Sequence, residues 1–401
     1  MNTNKAKTIV FALFFLKICY NIENLFILGA FMARPTKIYI DLAALRENLI
    51  NIKKYAKTKV MMLVKADAYG HGAVICAKQA EKTGFDYLGV ASIEEAVQLR
   101  QNGIKLPILS LGPIPSGSEE DCILFDVEQA VSAPDELKRL AVFAKKVQKT
   151  AYVHIKIETG MHRTGVRAGE DLAKLLDKIK ACELIQIKGV FTHFAQSDTF
   201  DKDYTRAQIT EFNKAVEQIK NAVGDCGLVH AANSGGILSY PEYAFDMVRA
   251  GIACYGYYPS SQTEQPINLK PVLSLKTAIV AINKLYKGES VSYGSRFTAQ
   301  KDMLVAVLPV GYGDGYKRAL SNKAEVLVGK KRAKILGTIC MDMLMIDVTD
   351  IKAQVGDEVI LIGENEFDKI SAEELAKHAQ TISYEILLSF TKRVPKVYLN
   401  E

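Results

Sequence analysis

From Lys37 onward, short apolar runs alternate with longer stretches in which apolar residues recur at helical spacing, the order of a parallel sheet wrapped by helices. Eight strand candidates can be counted, at residues 60–65, 87–91, 108–111, 127–132, 152–157, 187–192, 228–232 and 245–249. The run Val60-Met61-Met62-Leu63-Val64 is continuously apolar, as a strand buried on both faces must be. After it, Gly70 and Gly72 announce a turn, and a helix is expected from about Ala73 through Lys82. Ser92-Ile93-Glu94-Glu95 has the spacing of a capping box opening a helix to Asn102. Eight such strand–helix units fit a closed barrel better than an open sheet.

Past Ile267 the texture changes. Short strands at hairpin spacing, at 272–283, 304–310, 324–328, 334–337, 345–348 and 358–362, are separated by turns at Gly288, Gly329 and Gly356. The expected fold is therefore α/β: an N-terminal (β/α)8 barrel over residues 32–267, followed by a mostly β C-terminal domain over 268–401. Tyr39-Ile40-Asp41-Leu42 has the pattern of a strand that fits either domain. Residues 1–31 read as an extension outside the native protein. Lys5 and Lys7 ahead of an apolar run resemble an export signal, but Lys17 interrupts the pattern and Met32-Ala33-Arg34-Pro35 offers a plainer start.

With 401 residues, 49% of them hydrophobic, the chain can bury two large cores. The formal charge of +6 comes from 51 basic against 45 acidic residues spread along the sequence, which excludes a dense basic track for nucleic acid. Seven cysteines, an odd number without a Cys-x-x-Cys pair, point to a reducing cytosol and to no metal centre. A cytoplasmic location is expected, with no membrane partner; export is the alternative if residues 1–31 act as a signal.

Barrel active sites lie at the carboxyl ends of the strands. Here those ends carry Lys65 and Tyr69, then Lys156 with the loop through Arg163, then His193, then Asn233-Ser234-Gly235, and finally Arg249 with Gly251-Ile252. A lysine closing an apolar strand either snorkels to solvent or is used, and burial frees its amine to attack a carbonyl. Cations, an imidazole and glycine-rich turns on one face suit an anionic aromatic cofactor with a phosphate, and pyridoxal 5'-phosphate fits best.

These residues resemble the alanine racemase family. The motifs that carry the resemblance are Val-Lys-Ala-Asp-Ala-Tyr-Gly-His-Gly at 64–72, Thr-Gly-Met-His-Arg-Thr-Gly at 159–165, Ala-Asn-Ser at 232–234, Val-Arg-Ala-Gly-Ile at 248–252, Val-Ser-Tyr-Gly at 291–294, Gly-Tyr-Gly-Asp-Gly at 311–315, Cys-Met-Asp at 340–342 and Thr-Ile-Ser-Tyr-Glu at 381–385. The lysine motif alone is moderately specific; the ordered set is highly so. The resemblance implies a pyridoxal-phosphate enzyme that interconverts L- and D-alanine for cell-wall synthesis, as a homodimer with shared active sites. It implies Lys65 as cofactor-binding amine and base for the D isomer, and Tyr293 of the partner subunit as base for the L isomer. Arg249 would face the ring nitrogen and be linked to Tyr293 by His193. Arg163 would contact substrate and cofactor, steadied by Lys156 as a carbamate. Tyr69, Ser234, Gly251, Ile252 and Tyr384 would hold the phosphate, with Asn233 beside them. The Met341 amide would meet the substrate carboxylate, and Tyr312 would narrow the access. The chain departs from the pattern at His162 and Thr164, where glycine and leucine are commoner. A serine or broad-specificity racemase, a non-catalytic cofactor carrier, and a decarboxylase with a carboxylate at the ring nitrogen are the competing readings.

Overall fold

The computed structural model describes residues 34–401, so the expected extension at 1–31 lies outside the described residues. Two compact units are present, residues 41–272 with 398–401, and residues 34–40 with 273–397. The division falls at 272/273 rather than 267/268, and the segment before Asp41 joins the β-rich unit.

In the first unit, β2 (Lys59–Leu63), β3 (Tyr87–Val90), β4 (Ile108–Ser110), β5 (Val127–Val131), β6 (Ala151–Lys156), β7 (Ile185–Phe191), β8 (Leu228–His230) and β9 (Met247–Ala250) close a barrel. Every pair is parallel, and β9 returns to β2 with Val60 opposite Val248. The surrounding helices are α1 (Leu42–Ala56), α2 (Ala73–Lys82), α3 (Ile93–Gln101), α4 (Glu119–Leu124), α5 (Pro134–Val147), α6 (Glu170–Lys180), α7 (Asp203–Val223) and α8 (Ser234–Ser239). Each long helix turns one stripe inward; in α6 the buried residues are Leu172, Leu175, Leu176 and Ile179, the spacing of a single helical face. Inside the barrel, Gly189 leaves room for the His154 ring, because a Cβ there would lie 2.5 Å from the imidazole Nδ1.

In the second unit, β1 (Lys37–Asp41) alternates buried Ile38 and Ile40 with half-buried neighbours and pairs antiparallel with β10 (Leu273–Ala278). This places Tyr39 and Ile40 in the β-rich unit, while Leu42 opens α1 of the barrel unit. The expected strand over 272–283 is two strands, β10 and β11 (Ala281–Leu285), because the chain changes neighbours: Ile279 N–H donates to Asp357 O and Val280 N–H to Val307 O. The sheet continues through β14 (Met303–Leu308), β15 (Glu325–Val328), β16 (Lys331–Leu336), β17 (Leu344–Asp347) and β18 (Glu358–Glu364), in the order β11-β14-β17-β16-β15-β18-β10-β1. A separate hairpin, β12 (Ser290–Val291) with β13 (Phe297–Thr298), rests on a small core of Val291, Ala299, Met303, Val305 and Leu336. Two helices follow, α9 (Ala372–Ala379) and α10 (Ser383–Leu388).

Candidate active site

Strand β2 ends at Leu63, two residues short of the expected Lys65, and the chain then enters a left-handed turn. Ala66, Asp67, Ala68 and Tyr69 have φ of 50, 53, 55 and 54°, followed by Gly70 at 85°. Left-handed backbone costs an L-residue roughly 1–2 kcal/mol, so four in succession persist only where the surroundings dictate them. Those surroundings are specific. Gly72 N–H donates to Asp67 O at 2.8 Å, the Asp67 carboxylate accepts from Ala73 N–H at 2.8 Å, and Tyr255 OH donates to Leu63 O at 2.8 Å. Tyr69 and His71 both pack on the Tyr255 ring. The turn leaves the Lys65 ammonium partly desolvated beside Arg163, and burial first, then that charge, lowers its pKa; Glu95 opposes the shift.

Arg249, at the end of β9, is 1% exposed. One terminal nitrogen donates to His230 Nδ1 (2.8 Å) and His230 O (3.1 Å), and the other to Thr192 O (2.6 Å), Ala231 O (2.8 Å) and, more weakly, His193 Nδ1 (3.4 Å). No acceptor among the described residues takes the remaining Nε–H. His230 Nε2 then has the proton to donate to His154 Nδ1 at 2.9 Å, and His154 Nε2 donates to the Glu128 carboxylate at 2.7 Å. A hydrogen-bonded chain therefore runs from the Arg249 guanidinium to the Glu128 carboxylate through two buried imidazoles. Burial pushes the Arg249 pKa down to about 9, which still leaves the guanidinium charged at neutral pH.

Three more of the expected residues join this mouth. Lys156 donates to Thr164 Oγ1 and lies over the Phe191 ring; burial, followed by the charges of Arg163 and Arg249, lowers its pKa to about 8. His193 is held well below the usual imidazole range by desolvation and by Arg249, Arg163, Lys65 and Lys156 in turn, so it is neutral. Those couplings bring the four cations to one imidazole. Arg163 itself is exposed, on a loop fixed by Tyr204 OH donating to Gly160 O at 2.7 Å. Nearby His162 has φ of 53°, which explains why glycine is at home there.

Ser234, Gly251 and Tyr69 stand close together. Gly251 N–H donates to Ser234 Oγ at 2.9 Å, and a Cβ on Gly251 would lie 2.7 Å from Tyr69 OH and 3.7 Å from Ser234 Oγ. Ile252 is buried beneath. Asn233 caps α8, its Oδ1 accepting from Gly236 N–H (2.9 Å) and Ser197 Oγ (2.6 Å).

In the β-rich unit Tyr293, Tyr312 and Met341 gather around Cys340. Ser292 Oγ lies 3.2 Å from Cys340 Sγ, Tyr312 N–H donates to Cys340 O at 3.0 Å, and Gly313 N–H donates to Met341 O at 2.8 Å. The three side chains are 73%, 42% and 52% exposed. Tyr384 is half-buried in α10.

The family model for the alanine racemase N-terminal domain matches residues 40–259, and that for the C-terminal domain matches residues 272–398. The chain belongs to the alanine racemase family. It is 45% identical to an alanine racemase of Treponema denticola over 92% of this chain and 99% of that protein, and 42% identical to one of Clostridium novyi over 91% and 96%. An alanine racemase structure from Streptomyces coelicolor A3(2) superposes with a TM-score of 0.89 at 33% identity, covering 92% of this chain and 98% of that one. A histidine racemase from Leuconostoc mesenteroides superposes with 0.84 at 30% identity, covering 92% and 98%.

Alanine racemases use pyridoxal phosphate, and the donor set fits it. Lys65 supplies an amine for the aldehyde, the free Nε–H of Arg249 suits a ring nitrogen, and the Ser234–Gly251–Tyr69 cradle suits a phosphate. The sequence left His230, His154 and Glu128 unremarked, although a polar residue inside an apolar strand, as in Val153-His154-Ile155, was a usable signal.

Gly251→Ala is expected to weaken retention of pyridoxal phosphate about tenfold or more, because the new methyl enters the cradle. Equilibrium titration of cofactor into the purified chain checks this, and an unchanged dissociation constant would remove Gly251 from the phosphate site.

Proposed function

We propose that this chain interconverts L-alanine and D-alanine by two bases working on opposite faces of the α-carbon. Bound at Lys65, pyridoxal phosphate supplies a conjugated electron-withdrawing ring that acidifies the α-proton. Lys65 takes or returns that proton on the D face, and Tyr293 of the partner subunit does so on the L face. Two groups are required, since a single base tends to return the proton to the side it left. Arg249 would hold the ring nitrogen through Nε–H, and because it does not give up its proton at neutral pH that nitrogen would be left unprotonated and electron withdrawal modest. His193, kept neutral by the surrounding cations, ties Arg249 towards Tyr293.

Arg163 and the Met341 amide hold the substrate carboxylate, while Tyr69, Ser234, Gly251, Ile252 and Tyr384 hold the phosphate. Lys156, with a pKa lowered to about 8, has a neutral fraction able to take up carbon dioxide and form a carbamate, whose negative charge offsets Arg163. The exposed patch of Tyr293, Tyr312 and Met341 is the surface that a second copy covers in a homodimer. No helix among the described residues is long and apolar enough to cross a membrane, and a cytoplasmic site of action, supplying D-alanine for the cell wall, accords with the cysteine pattern.

The observation that supports this reading most is a lysine with a depressed pKa at the same barrel mouth as a buried guanidinium whose Nε–H has no acceptor among the described residues. The carboxylate expected of a decarboxylase does not stand there. Substrate size is a separate matter, because a histidine racemase shares the fold. Tyr312 and Tyr384 favour alanine over larger side chains by steric exclusion, although one methylene typically changes discrimination by only about 1–3 kcal/mol. Initial rates on a panel of L-amino acids decide between alanine and a broader range.

Lys65→Ala is expected to abolish the absorbance at roughly 420 nm typical of lysine-bound pyridoxal phosphate. A variant that stays yellow contradicts the assignment. Tyr293→Phe is expected to slow solvent proton exchange from L-alanine far more than from D-alanine while the cofactor remains bound. Equal losses from both isomers, read by deuterium incorporation, remove its one-sided role. In bicarbonate enriched in carbon-13, a carbamate resonance is expected from the intact chain and not from Lys156→Ala; its persistence in the variant places the carbamate elsewhere.

A further inference from the structure

Glu95 occupies the third position of α3, where a capping box would send its carboxylate back to the N–H of Ser92. Only half of that box forms. Ser92 Oγ accepts from Glu95 N–H, but the Glu95 carboxylate turns away. Its Oε1 accepts from Ala66 N–H at 2.6 Å and its Oε2 from Ala91 N–H at 2.8 Å. Ala66 follows Lys65 directly and is the first residue of the left-handed run; Ala91 follows the last residue of β3. One side chain therefore clamps the start of the strained turn to the neighbouring barrel strand.

We propose that Glu95 is a positioning residue for Lys65, fixing the left-handed turn to the end of β3 and facing the Lys65 amine with a negative charge. The inference rests on the reading of Lys65 as the proton-transferring amine. The charges that face Lys65 come from several elements. Arg163 lies on the loop after β6, Lys156 at the end of β6 and the His193 imidazole after β7, and each of these couples to the lysine. Against these, Glu95 is the acidic group that supports the ammonium. The carboxylate does two kinds of work: its hydrogen bonds locate the turn, and its charge raises the basicity of the amine against burial and Arg163.

The two effects can be separated by substitution. Glu95→Gln removes the charge and presents an amide NH2 to one of the two backbone N–H groups. Glu95→Asp keeps the charge but cannot reach both. Glu94→Gln, exposed on the same turn of α3, removes an equal charge without touching Ala66. The measurement is a carbon-13 NMR titration of the cofactor-free full-length chain after reductive methylation, with the Lys65 resonance identified by its loss in Lys65→Arg. Glu95→Gln is expected to lower the Lys65 midpoint, as loss of an opposite charge does. Glu94→Gln leaves it in place. Glu95→Asp keeps the midpoint but lowers kcat roughly tenfold or more with KM little changed, through misplacement of the amine.

A Glu95→Gln midpoint equal to that of the unaltered chain, or equal to that of Glu94→Gln, overturns the inference. Should Glu95→Gln not fold, the kcat and KM of Glu95→Asp carry the decision, and unchanged kcat overturns it. Retention of colour by Lys65→Ala would instead overturn the reading of Lys65, whatever Glu95 does.

Discussion

A guanidinium shut away from water is the constraint on which the barrel mouth depends. An unpaired buried charge is prohibitive, so Arg249 is tolerated because the ends of β7 and β8 turn three carbonyl oxygens, from Thr192, His230 and Ala231, onto its terminal nitrogens. The line from His230 through His154 to Glu128 brings a carboxylate into indirect contact with the same charge. Each imidazole on that line donates once and accepts once, which fixes both tautomers. With four of its five protons so engaged, Arg249 is oriented by the strands themselves, and only Nε–H is left to meet a ligand.

That charge then governs its neighbours. Arg249, Arg163, Lys65 and Lys156 act together on His193, and mutual repulsion adds to burial in lowering the pKa of both lysines. A mouth of this kind is strained electrostatically until an anion enters. The phosphate of the cofactor, the carboxylate of the substrate and a carbamate on Lys156 would each relieve it, with the phosphate proposed to lie at Ser234 and Gly251. Affinity for anions and a readily deprotonated lysine are thus one electrostatic property seen from two sides.

Much of this was legible in the sequence because strand burial is a matter of local pattern. Val60 to Val64 has no polar interruption, and all eight barrel strands stand within a few residues of their expected places. The strand ends therefore pointed to Lys65, Lys156, His193, Ser234 and Arg249. Hidden were features that depend on pairing across the fold. The stretch 272–283 reads as one strand, yet the chain passes from β18 to β14 inside it, a change that leaves no local signature. The left-handed run from Ala66 to Tyr69 contains no glycine and is imposed by Gly72, Ala73, Tyr255 and Glu95 from outside. Glu95 itself looked like a helix cap, because sequence spacing cannot say which of several nearby N–H groups a carboxylate will choose.

Both proposed bases are carried on backbone that L-residues avoid. Lys65 precedes four left-handed residues, and Tyr293 is flanked by Ser292 at φ 66°, Gly294 at 76° and Ser295 at 47°. Around Tyr293 the deviation is held by side chains, with Ser292 Oγ donating to Thr338 O and Thr338 Oγ1 donating to Tyr293 O at 2.8 Å. Regular strands and helices would have supplied cheaper supports. A relaxed loop, however, lets a long lysine or an exposed tyrosine wander among rotamers, and proton transfer fails when donor and acceptor are displaced by about an ångström. A strained turn clamped from several directions has few alternative conformations close in energy, so its side chain leaves from a fixed origin. Stability given up at these two points is what fixing a pair of opposed bases requires.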